Sequence, residues 1–436
     1  MQITIFRGSK EVGGSCVEIR SANTRVILDV GLPLFDENRE PHNSYKLCRM
    51  TTQELVSKGI APNVPGLFSG DLSGDRPPDG ILLSHAHLDH VGLLKHTTPT
   101  IPVYASQGTS KMMLAGEVFA NQSRIPRERF REMRHGKTVT IGDFTITPFA
   151  VDHSILGCLA FLIEADGKRL LYTGDLRLHG SRPTDHENII TKLAGSKVDA
   201  LIVEGTHFGL EDGDLTTEDE LKTQIATHVQ ESQGLVLAAF SPQHVDRLRS
   251  FIHAANQSGR TFVADVYTAF VLHLASRDAK LKSPIDSGTG RVYYPQSLIA
   301  KIQRKGTNKV YERFRKHEIS MSEIASRPDH HLMVFRTSLT DDFVGGFPEE
   351  TLCLYSTWSG YRDRPDWQRV QRDLASVNGR IVHAHTSGHA LASDIVKFTK
   401  SIDTKSIIPI HTFEPQKFRE YFDNVCVAVD GQPISL

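Results

Sequence analysis

Short runs of apolar, often β-branched residues, separated by glycine-rich turns, dominate the chain up to about residue 203. The first runs are ITIF (3–6), CVEI (16–19), RVILDV (25–30) and ILLS (81–84). Runs of this length and composition predict β-strands. From residue 102 onward the predicted strands are PVYA, KTVTI, FTITPFA, CLAFLIE, KRLLYTG and DALIVE, with one helical stretch at about 107–121. This pattern is typical of sheets packed in layers with helices outside.

Residues 36–80 interrupt the strand pattern. They are rich in Pro, Gly, Asn and Asp around one weak helical pattern at 51–58, which indicates an excursion over the surface. Because the segment directly precedes the run ILLS, we expect either a lid or a long loop at this point.

From about residue 215 helices and strands alternate, which indicates a separate α/β unit. The predicted elements are a helix at 217–232, the buried strand LVLAAF at 235–240, a helix that opens at Ser241 and Pro242, and the strand TFVA at 261–264. After about residue 380 the predicted elements are the strand RIVHAH, a helix at about 389–400, the strand SIIPIH and a helix at 415–422.

The composition is that of a globular protein with two domains. A chain of 436 residues exceeds the roughly 250 to 300 residues at which single cores stop growing. The net charge of −1 excludes a protein that coats nucleic acid through a global basic excess, so any nucleic-acid site must be local. Five widely spaced cysteines without a CxxC pair indicate neither a disulfide framework nor a thiolate zinc site. Without a signal-peptide pattern or a membrane-spanning apolar run, we expect a cytoplasmic protein.

The segment SHAHLDHVG gathers four ligand-type side chains directly after a buried strand: His85, His87, Asp89 and His90. Imidazole nitrogen and carboxylate oxygen are natural ligands of zinc. Alternate residues on an extended loop point the same way, so we expect His85 and His87 to face one position, and Asp89 and His90 a neighbouring position. One motif can thereby supply ligands to two metals.

This segment resembles the HxHxDH signature of the metallo-β-lactamase superfamily, whose members fold as an αββα sandwich with the metals at one edge of the two sheets. Further landmarks of the superfamily follow in the same order. Asp29 in VILDVG matches the aspartate that shapes the metal loop, and the other matches are His153 in FAVDHS, Asp175 in LYTGDL and His411 in IIPIHTF. The resemblance implies two ligand sets, His85, His87 and His153 for one zinc and Asp89, His90 and His411 for the other, with Asp175 as the bridge.

The expected metal pair suggests the class of reaction. A water between two cations loses its proton near neutral pH, and the pair stabilises charge on both oxygens of an in-line displacement, which suits phosphodiesters. Two zinc ions are therefore the expected cofactors, with manganese or another divalent metal as the alternative. A lone histidine such as His153 is more often structural, and the aspartate of a TGD turn is more often a turn former. The order of these residues and their position after apolar runs favour the ligand interpretation.

Three further residues resemble motifs of the β-CASP nuclease branch of the superfamily. Glu204 in IVEGTH lies at the acidic motif A, His389 in HTSGHA at motif B, and His411 at motif C. HTSGHA is especially similar to the HxSGH loop of ribonuclease J and related prokaryotic enzymes, although the chain ends soon after motif C and lacks their extra C-terminal domain. The resemblance implies catalytic roles for Asp89, Glu204 and His389.

The HTSGHA loop is also the expected phosphate site. Ser387, the backbone at Gly388 and the imidazoles of His385 and His389 would converge as phosphate donors. We expect His389 to donate a proton to the leaving oxygen or to stabilise phosphoryl charge, and Glu204 to orient a histidine or the attacking water. The alternatives are a salt bridge at a strand end for Glu204 and a helix N-cap for Ser387.

Together these matches imply an α/β fold, an αββα metallo-β-lactamase sandwich with an inserted α/β β-CASP domain. The expected bounds are 1–209 for the N-terminal part of the sandwich, 210–380 for the insertion and 381–436 for the C-terminal return. In relatives the insertion closes over the metal edge and forms a nucleic-acid groove.

We expect a zinc-dependent nuclease that acts on RNA as a 5′ exonuclease, an endonuclease or both. Histidine at motif C favours RNA, because DNA nucleases of the Artemis type carry valine there. Basic stretches at 124–137 and 301–316 fit a groove, although most charge runs are solvated helix faces. The alternatives are a DNA nuclease of the same branch, a small-molecule phosphodiesterase or thioesterase, and a non-catalytic RNA-binding subunit. No membrane partner is expected, and the oligomeric state stays open, a homodimer included.

Overall fold

The computed structural model describes residues 1–71, 74–210, 216–276 and 283–436. Within these ranges the strands form three sheets. The strands up to residue 204 are β1 (Gln2–Arg7), β2 (Cys16–Arg20), β3 (Arg25–Leu28), β4 (Gly80–Leu82), β5 (Val103–Ser106), β6 (Phe130–Met133), β7 (Val139–Ile141), β8 (Phe144–Ala150), β9 (Leu159–Ala165), β10 (Lys168–Tyr172) and β11 (Ala200–Glu204). The later strands are β12 (Val236–Ala239), β13 (Thr261–Asp265), β14 (Arg291–Tyr293), β15 (His331–Phe335), β16 (Leu352–Tyr355), β17 (Arg380–His383), β18 (Ile407–Ile410) and β19 (Pro433–Ser435).

The helices lie outside the sheets or connect their strands. The α-helices are α1 (Ser44–Leu47), α2 (Thr52–Ser57), α3 (Leu88–Val91), α4 (Gln107–Phe119), α5 (Asp185–Leu193), α6 (Glu218–Glu231), α7 (Val245–Gln257), α8 (Val266–Ala275), α9 (Gln296–Arg304), α10 (Asn308–Phe314), α11 (Met321–Ser326), α12 (Pro365–Ala375) and α13 (Ala392–Lys400). The 3-10 helices are Leu94–His96, Arg127–Arg129, Arg315–His317, Pro328–His330, Thr337–Asp342, Ser359–Tyr361 and Pro415–Glu420.

Two of the sheets form a sandwich around one apolar core. Their strand orders are β19-β1-β2-β3-β4-β5-β6 and β18-β11-β10-β9-β8-β7. Side chains alternate across the strands, so that Val26 and Leu28 of β3 enter the core between the sheets while Ile27 packs in the layer that includes α4. Both faces of the sheet are therefore buried, and its polar side chains lie at the strand ends and in the loops.

The third sheet belongs to the inserted α/β unit. Its order is β14-β13-β15-β12-β16-β17, and every pairing in it is parallel. The carboxyl ends of all these strands consequently lie at one edge, which is where open α/β sheets bind ligands. Because β17 is the last strand of this sheet, the chain leaves the same edge when it returns to the sandwich through the segment HTSGHA.

These three sheets confirm the expected α/β fold class, an αββα sandwich with an inserted α/β unit. The third sheet extends from Val236 to His383, while the expected bounds of the insertion, 210 and 380, remain a prediction. Across the described ranges, no helix has the length and apolar character needed to cross a bilayer.

The predicted strands are present, but β6, β14, β15, β16 and β19 were not predicted. Several helices also differ from their predictions, and the helix predicted to open at Ser241 begins at Val245. The stretch predicted as a helix at 415–422 is a 3-10 helix, Pro415–Glu420. The helix predicted from about 389 begins at Ala392, because the N–H of His389 donates to Ser387 Oγ (3.1 Å) and the N–H of Ala390 donates to Leu176 O (2.8 Å). Ser387 is thus not the N-cap of this helix, which excludes that alternative.

The described part of the 36–80 segment packs against the sandwich instead of passing loosely over it. It contains α1 and α2, and the apolar side chains that it buries are Leu47, Leu55, Ile60, Ala61, Val64, Leu67 and Phe68. Arg7 Nη1 of β1 donates to the carbonyls of Gly59 (2.6 Å) and Ile60 (2.8 Å). The segment is therefore a packed part of the domain, and its role as a lid stays a prediction.

The predicted basic stretches have structural partners. Lys301 Nζ of α9 donates to Phe119 O (3.2 Å), and Lys305 donates to Glu117 O, at the C-terminal end of α4, where cations interact favourably with the helix dipole. These two lysines therefore attach the inserted unit to the sandwich. In the first stretch Arg129 is buried and donates to Ile101 O and Thr97 Oγ1.

Candidate metal centre

The loop after β4 presents the four ligand-type side chains of SHAHLDHVG at one edge of the sandwich. His85 Nε2 lies 3.0 Å from His87 Nδ1, so these two side chains face one position as expected. Asp89 and His90 follow in the single turn of α3, with His90 Nε2 3.6 Å from Asp89 Oδ2. The turn of α3 separates the two pairs, whereas the prediction attributed their separation to alternation along an extended loop.

Two histidines from distant parts of the chain complete these pairs. His153, just after β8, places its Nε2 3.1 Å from His87 Nδ1. His411, just after β18, places its Nε2 3.1 Å from Asp89 Oδ2. Both lie at the ends of buried strands, as the sequence predicted, and each joins the predicted set.

Asp175, after β10, lies between the two sets. Its Oδ2 atom is 3.1 Å from His90 Nε2 and 3.6 Å from His85 Nε2, and 3.8 Å from the Nε2 atoms of both His153 and His411. The ligand atoms of His85, His87 and His153 lie within 4.8 Å of one another, as do those of Asp89, His90, Asp175 and His411. All seven predicted ligands are thus together, and Asp175 Oδ2 lies close to members of both sets; its role as the bridging ligand stays a prediction.

The cluster contains two buried polar atoms that lie 3.1 Å apart without the geometry of a hydrogen bond. His90 Nε2 and Asp175 Oδ2 are buried and have no hydrogen-bond partner among the described residues. Such burial is costly unless a partner is supplied. Imidazole nitrogens and carboxylate oxygens in sets of three and four suit zinc. The residues present therefore fit a pair of divalent cations.

The charge state of the first set also suits cation binding. Burial lowers the pKa of His85 and His153 well below the ordinary value, and it lowers the pKa of His87 to about 4. These three imidazoles are therefore neutral near neutral pH. The neutral form is the one that can donate a nitrogen lone pair to a metal.

The second set holds a strong negative potential. Burial opposes the ionisation of Asp89 and Asp175, but the adjacent imidazoles hold the pKa of Asp89 at about 2 and that of Asp175 well below its usual range. Burial likewise opposes a charge on His90, yet Asp175, Asp29 and Asp89 raise its pKa well above the ordinary value. This position favours positive charge, which a cation supplies in place of the proton.

Asp29 fixes the loop that carries the ligands. Its carboxylate accepts hydrogen bonds from the N–H (2.7 Å) and Oγ (2.7 Å) of Ser84 and from the hydroxyl of Tyr172 (2.7 Å), and it lies 2.8 Å from His90 Nδ1. The backbone of Asp29 is left-handed, with φ of 57°. By holding Nδ1, Asp29 leaves His90 Nε2 for the metal position.

Glu204 and His389 form a hydrogen-bonded pair beside the second set. Glu204 is buried, and its Oε1 accepts from the N–H of Leu176 (2.7 Å), while its Oε2 lies 3.0 Å from His389 Nδ1. Burial opposes a charge on His389, but Glu204 and Asp175 raise its pKa to about 9. The side chain of His389 is 21% exposed, so a protonated imidazole borders the ligand cluster where it remains accessible.

The HTSGHA loop lies directly on the first set. The carbonyl of Gly388 is 2.5 Å from His153 Nδ1, and a Cβ at Gly388 would lie 2.9 Å from Ser154 Oγ, so glycine permits this approach. Ser387 Oγ accepts from the N–H of His389 and lies 3.1 Å from His207 Nε2. His385 has a different environment, because its Nδ1 is 3.4 Å from Arg247 Nη1.

Sequence reasoning missed Thr206, which connects these motifs. Its hydroxyl donates to Glu204 Oε2 (2.7 Å), and it lies 3.1 Å from His389 Nδ1 and 2.9 Å from His411 Nδ1. Its position two residues after Glu204 in IVEGTH was the available signal. Thr206 therefore orients both histidines from one point.

Sequence reasoning also missed Arg177, which is fully buried two residues after Asp175. Its guanidinium pairs with Asp152 (3.0 Å) beside His153, and with Glu218 (2.7 Å) and Asp246 (2.5 Å) of the inserted unit. Arg177 Nη1 also donates to the carbonyl of Ser387 (3.4 Å). One residue thus ties the metal edge, the inserted unit and the HTSGHA loop together.

A cleft of about 760 Å³ opens beside His153 between the sandwich and the inserted unit. The loop at 153–156 lines one side, and residues of α6 and α7 line the other. Its walls carry basic side chains, Arg182, Lys222, Arg249 and His253, together with acidic ones, Glu218, Asp219 and Asp246. The metal edge is therefore reached between the two units.

Comparisons with known proteins agree with this architecture. A model of the beta-lactamase superfamily domain matches residues 65–237. The chain is 27% identical over 435 residues to ribonuclease J of Mycolicibacterium smegmatis, which covers 94% of this chain and 68% of that protein. It is 23% identical over 437 residues to ribonuclease J of Methanocaldococcus jannaschii, which covers 94% of this chain and 91% of that protein.

A solved structure shows the same fold over the whole chain. It is the crystal structure of a protein of unknown function from Enterococcus faecalis V583, with a TM-score of 0.78 and 21% sequence identity, and the match covers 100% of this chain and 99% of that chain. Residues 65–237 thus match the beta-lactamase superfamily domain, and the chain is similar over most of its length to ribonuclease J proteins.

Proposed function

We propose that this protein is a zinc-dependent nuclease that hydrolyses phosphodiester bonds in RNA, as a 5′ exonuclease, an endonuclease or both. The proposal rests chiefly on one observation, the position of Asp175 between two sets of ligand atoms, with protonated His389 beside them. When bound, a pair of zinc ions supplies Lewis acidity at the phosphate and lowers the pKa of an attacking water. The names of the similar proteins, ribonuclease J, support RNA as the substrate.

In this proposal His389 is the proton donor. Its Nδ1 is engaged by Glu204, which leaves Nε2 for the substrate. Glu204 favours the protonated form of His389 by raising its pKa, and this form can donate to the leaving oxygen or to a phosphoryl oxygen as negative charge develops there. Glu204 is the positioning residue, because it joins His389 to the loop that follows Asp175.

Asp89 acts in the same proposal as a ligand and as a carboxylate that orients the attacking water. Its Oδ2 lies 3.1 Å from His411 Nε2 and 3.6 Å from His90 Nε2. Ser387, Gly388 and His385 are proposed to contact the substrate phosphate, since their loop borders His153 and His389. A cytoplasmic location is part of the proposal, and the five free cysteines fit a reducing compartment.

End-labelled RNA and DNA of one sequence test the proposal, each prepared with a 5′ hydroxyl, monophosphate or triphosphate. The purified protein, with its metal content determined by elemental analysis, is incubated with each substrate and the products are separated by length. We expect two zinc ions per chain and cleavage of RNA in preference to DNA. Mononucleotides released in order from the 5′ end indicate an exonuclease, and internal fragments indicate an endonuclease.

Bis(p-nitrophenyl) phosphate and a thioester are the controls for a small-molecule hydrolase. A nuclease should favour the polymer by orders of magnitude, because distant substrate contacts contribute to catalysis. If metal-loaded protein turns over the small substrates and leaves RNA intact, the nuclease proposal is wrong. Preferential cleavage of DNA would instead indicate that the protein is a DNA nuclease of the same branch.

A further inference from the structure

A cluster of aromatic and basic side chains lies just beyond the carboxyl end of β16. We call it the Trp358 patch. Its members are Trp358, Tyr361, Arg362 and Arg364. Trp358 is 48% exposed and Tyr361 is 38% exposed. Their ring centroids are 5.2 Å apart and the ring planes are perpendicular, while the guanidinium of Arg364 lies 4.2 Å from the centroid of Tyr361. The patch therefore presents aromatic surface and positive charge together.

The indole of Trp358 is held in place by its own loop. The hydroxyl of Tyr355 donates to Trp358 O (2.8 Å), which fixes the backbone after the strand. A Cβ at Gly360 would lie 2.4 Å from the indole ring, so one side of the ring packs directly on the Gly360 backbone. A preordered ring loses little conformational freedom when a ligand stacks on it.

The charge of the patch is not neutralised by ion pairs. In the described ranges, neither Arg362 nor Arg364 lies at salt-bridge distance from a carboxylate, although Asp363 lies between them in sequence. Arg369, on the following helix, is by contrast paired with Asp341 (2.7 Å). The positive charge is therefore free to interact with an anionic ligand.

The patch lies at the same sheet edge as the HTSGHA loop. Tyr355, at the end of β16, is opposite His383, at the end of β17, and His383 precedes His389 by six residues. At about 3.4 Å per extended residue, that stretch covers at most roughly 20 Å. Trp358 lies three residues beyond Tyr355, at most about a further 10 Å, so a stacked strand of 12 nucleotides at about 3.4 Å per nucleotide is long enough to span His389 and the patch.

We propose that the Trp358 patch is a binding subsite for single-stranded RNA, in which the indole stacks on a nucleobase and Arg362 and Arg364 contact adjoining phosphates. This inference rests on the proposed function for the identity of the nucleic acid. Planar rings with unpaired arginines match the flat bases and anionic backbone of a single strand. A second copy of this chain would need a complementary acidic surface to bind these arginines.

Tryptophan fluorescence tests the subsite directly, because the chain has only two tryptophans. Trp367→Phe leaves Trp358 as the sole reporter and keeps an aromatic ring beside Phe335 and Tyr355. The metal-loaded variant is titrated with a 12-nucleotide RNA made resistant to hydrolysis by 2′-O-methyl and phosphorothioate groups. We expect saturable quenching by the 12-mer, and weaker quenching at the same concentration of a 3-mer, which makes fewer contacts with the protein.

Variants of the patch separate stacking from a general effect of charge. Trp358→Ala should raise the Kd of the 12-mer roughly tenfold, the range of lost base stacking, and Trp358→Phe should restore most of the affinity. Gly360→Ala, which displaces the indole, should weaken binding in the same direction. Tyr45→Ala removes a similarly exposed tyrosine that lies beneath Arg49, and it should leave the Kd unchanged.

The outcomes distinguish this inference from the proposed function. Quenching by the 12-mer with no RNA cleavage by the parent protein would support the subsite and overturn the proposed function. Cleavage of RNA with no quenching, and with an unchanged Kd for Trp358→Ala, would overturn the subsite alone. A change of sedimentation coefficient in Trp358→Ala, without an effect on RNA binding, would assign the patch to self-association and would also overturn the subsite.

Discussion

The metal edge of the sandwich and the carboxyl edge of the inserted sheet are joined by the HTSGHA loop but are built differently. At the metal edge, carboxylates and imidazoles such as Asp175 and His411 lie within 4 Å of one another and are almost fully buried. At the other edge, arginines and aromatic rings such as Arg247 and Trp358 are fixed by carbonyls and by the register of parallel strands. The first edge concentrates negative charge, and the second supplies donors and flat surfaces.

This difference suggests that the two edges bind different groups, cations at the first edge and nucleic acid at the second. A cluster of carboxylates attracts cations, whereas arginines and rings suit a polyanion with bases. Arg177 joins the two, since it pairs with Asp152 of the sandwich and with Glu218 and Asp246 of the inserted unit. The two edges should therefore respond differently to mutation, except at this residue.

The largest expected effect separates metal binding from proton donation within the metal edge. Asp175→Ala should lose zinc as well as activity, because it removes the carboxylate between the two ligand sets. His389→Ala should keep both zinc ions and lose about 10²- to 10⁴-fold in kcat, the usual contribution of a general acid. Elemental analysis and single-turnover cleavage measure the two properties.

Asp341→Ala, in an exposed part of the inserted unit, is the control and should match the parent protein in both properties. Full retention of two zinc ions by Asp175→Ala would refute its role as the bridge. Cleavage by His389→Ala at the parent rate would remove His389 from the catalytic assignment.

The next effect concerns the residue that joins the two edges. Arg177→Met removes the guanidinium shared by three buried carboxylates, of which Glu218 keeps Arg247 and Asp246 keeps Arg249. Breaking such a network costs up to about 3–5 kcal/mol of unfolding free energy. It should also lower kcat, because Ser387 O loses one of its donors. Urea unfolding monitored by circular dichroism measures the stability of the variant.

Arg369→Ala provides the comparison, since its ion pair with Asp341 is exposed and should contribute less than about 1 kcal/mol. If Arg177→Met unfolds within about 1 kcal/mol of the parent protein, the two edges are held together by other contacts and the joining role of Arg177 is wrong.

The smallest effect decides between two interpretations of the basic stretch at 301–316. Replacement of both Lys301 and Lys305 by Ala removes donors to the C-terminal end of α4, and each such contact contributes about 0.3–1 kcal/mol. We expect a slightly lower urea midpoint and an unchanged Kd for the resistant 12-mer. A clear loss of RNA affinity, together with a shallower salt dependence, would show instead that this stretch contacts phosphate.

Much of the metal edge could be predicted from sequence because its signal is local. Four ligands occur within six residues, and the other ligands, His153, Asp175 and His411, each follow an apolar run that delivers them to a strand end. Strand periodicity does not depend on distant contacts, so the positions of most strands could also be predicted. The grouping of the ligands around Asp175 follows from these strand ends meeting at one edge.

The carboxyl edge of the inserted sheet could not be predicted in this way, because it depends on the register of its strands and on contacts between residues that are distant in sequence. Arg177 looks like a surface charge in GDLRLH until Asp152, Glu218 and Asp246 are brought around it. In the sequence Trp358 is an isolated aromatic residue. Only the pairing of β16 with β17 places it at the same sheet edge as the HTSGHA loop. Helix α13 begins later than predicted for the same reason, because the N–H of Ala390 donates to the carbonyl of Leu176, which is distant in sequence.

The turn at Asp29 has a practical consequence for exchanging the metals. Hydroxyl and amide donors within the protein satisfy its carboxylate, so the loop that presents the histidines is anchored by bonds that do not involve a cation. A preparation stripped by a chelator would keep this anchor. Different divalent ions can therefore be loaded into one batch of folded protein, and their rates compared without a refolding step.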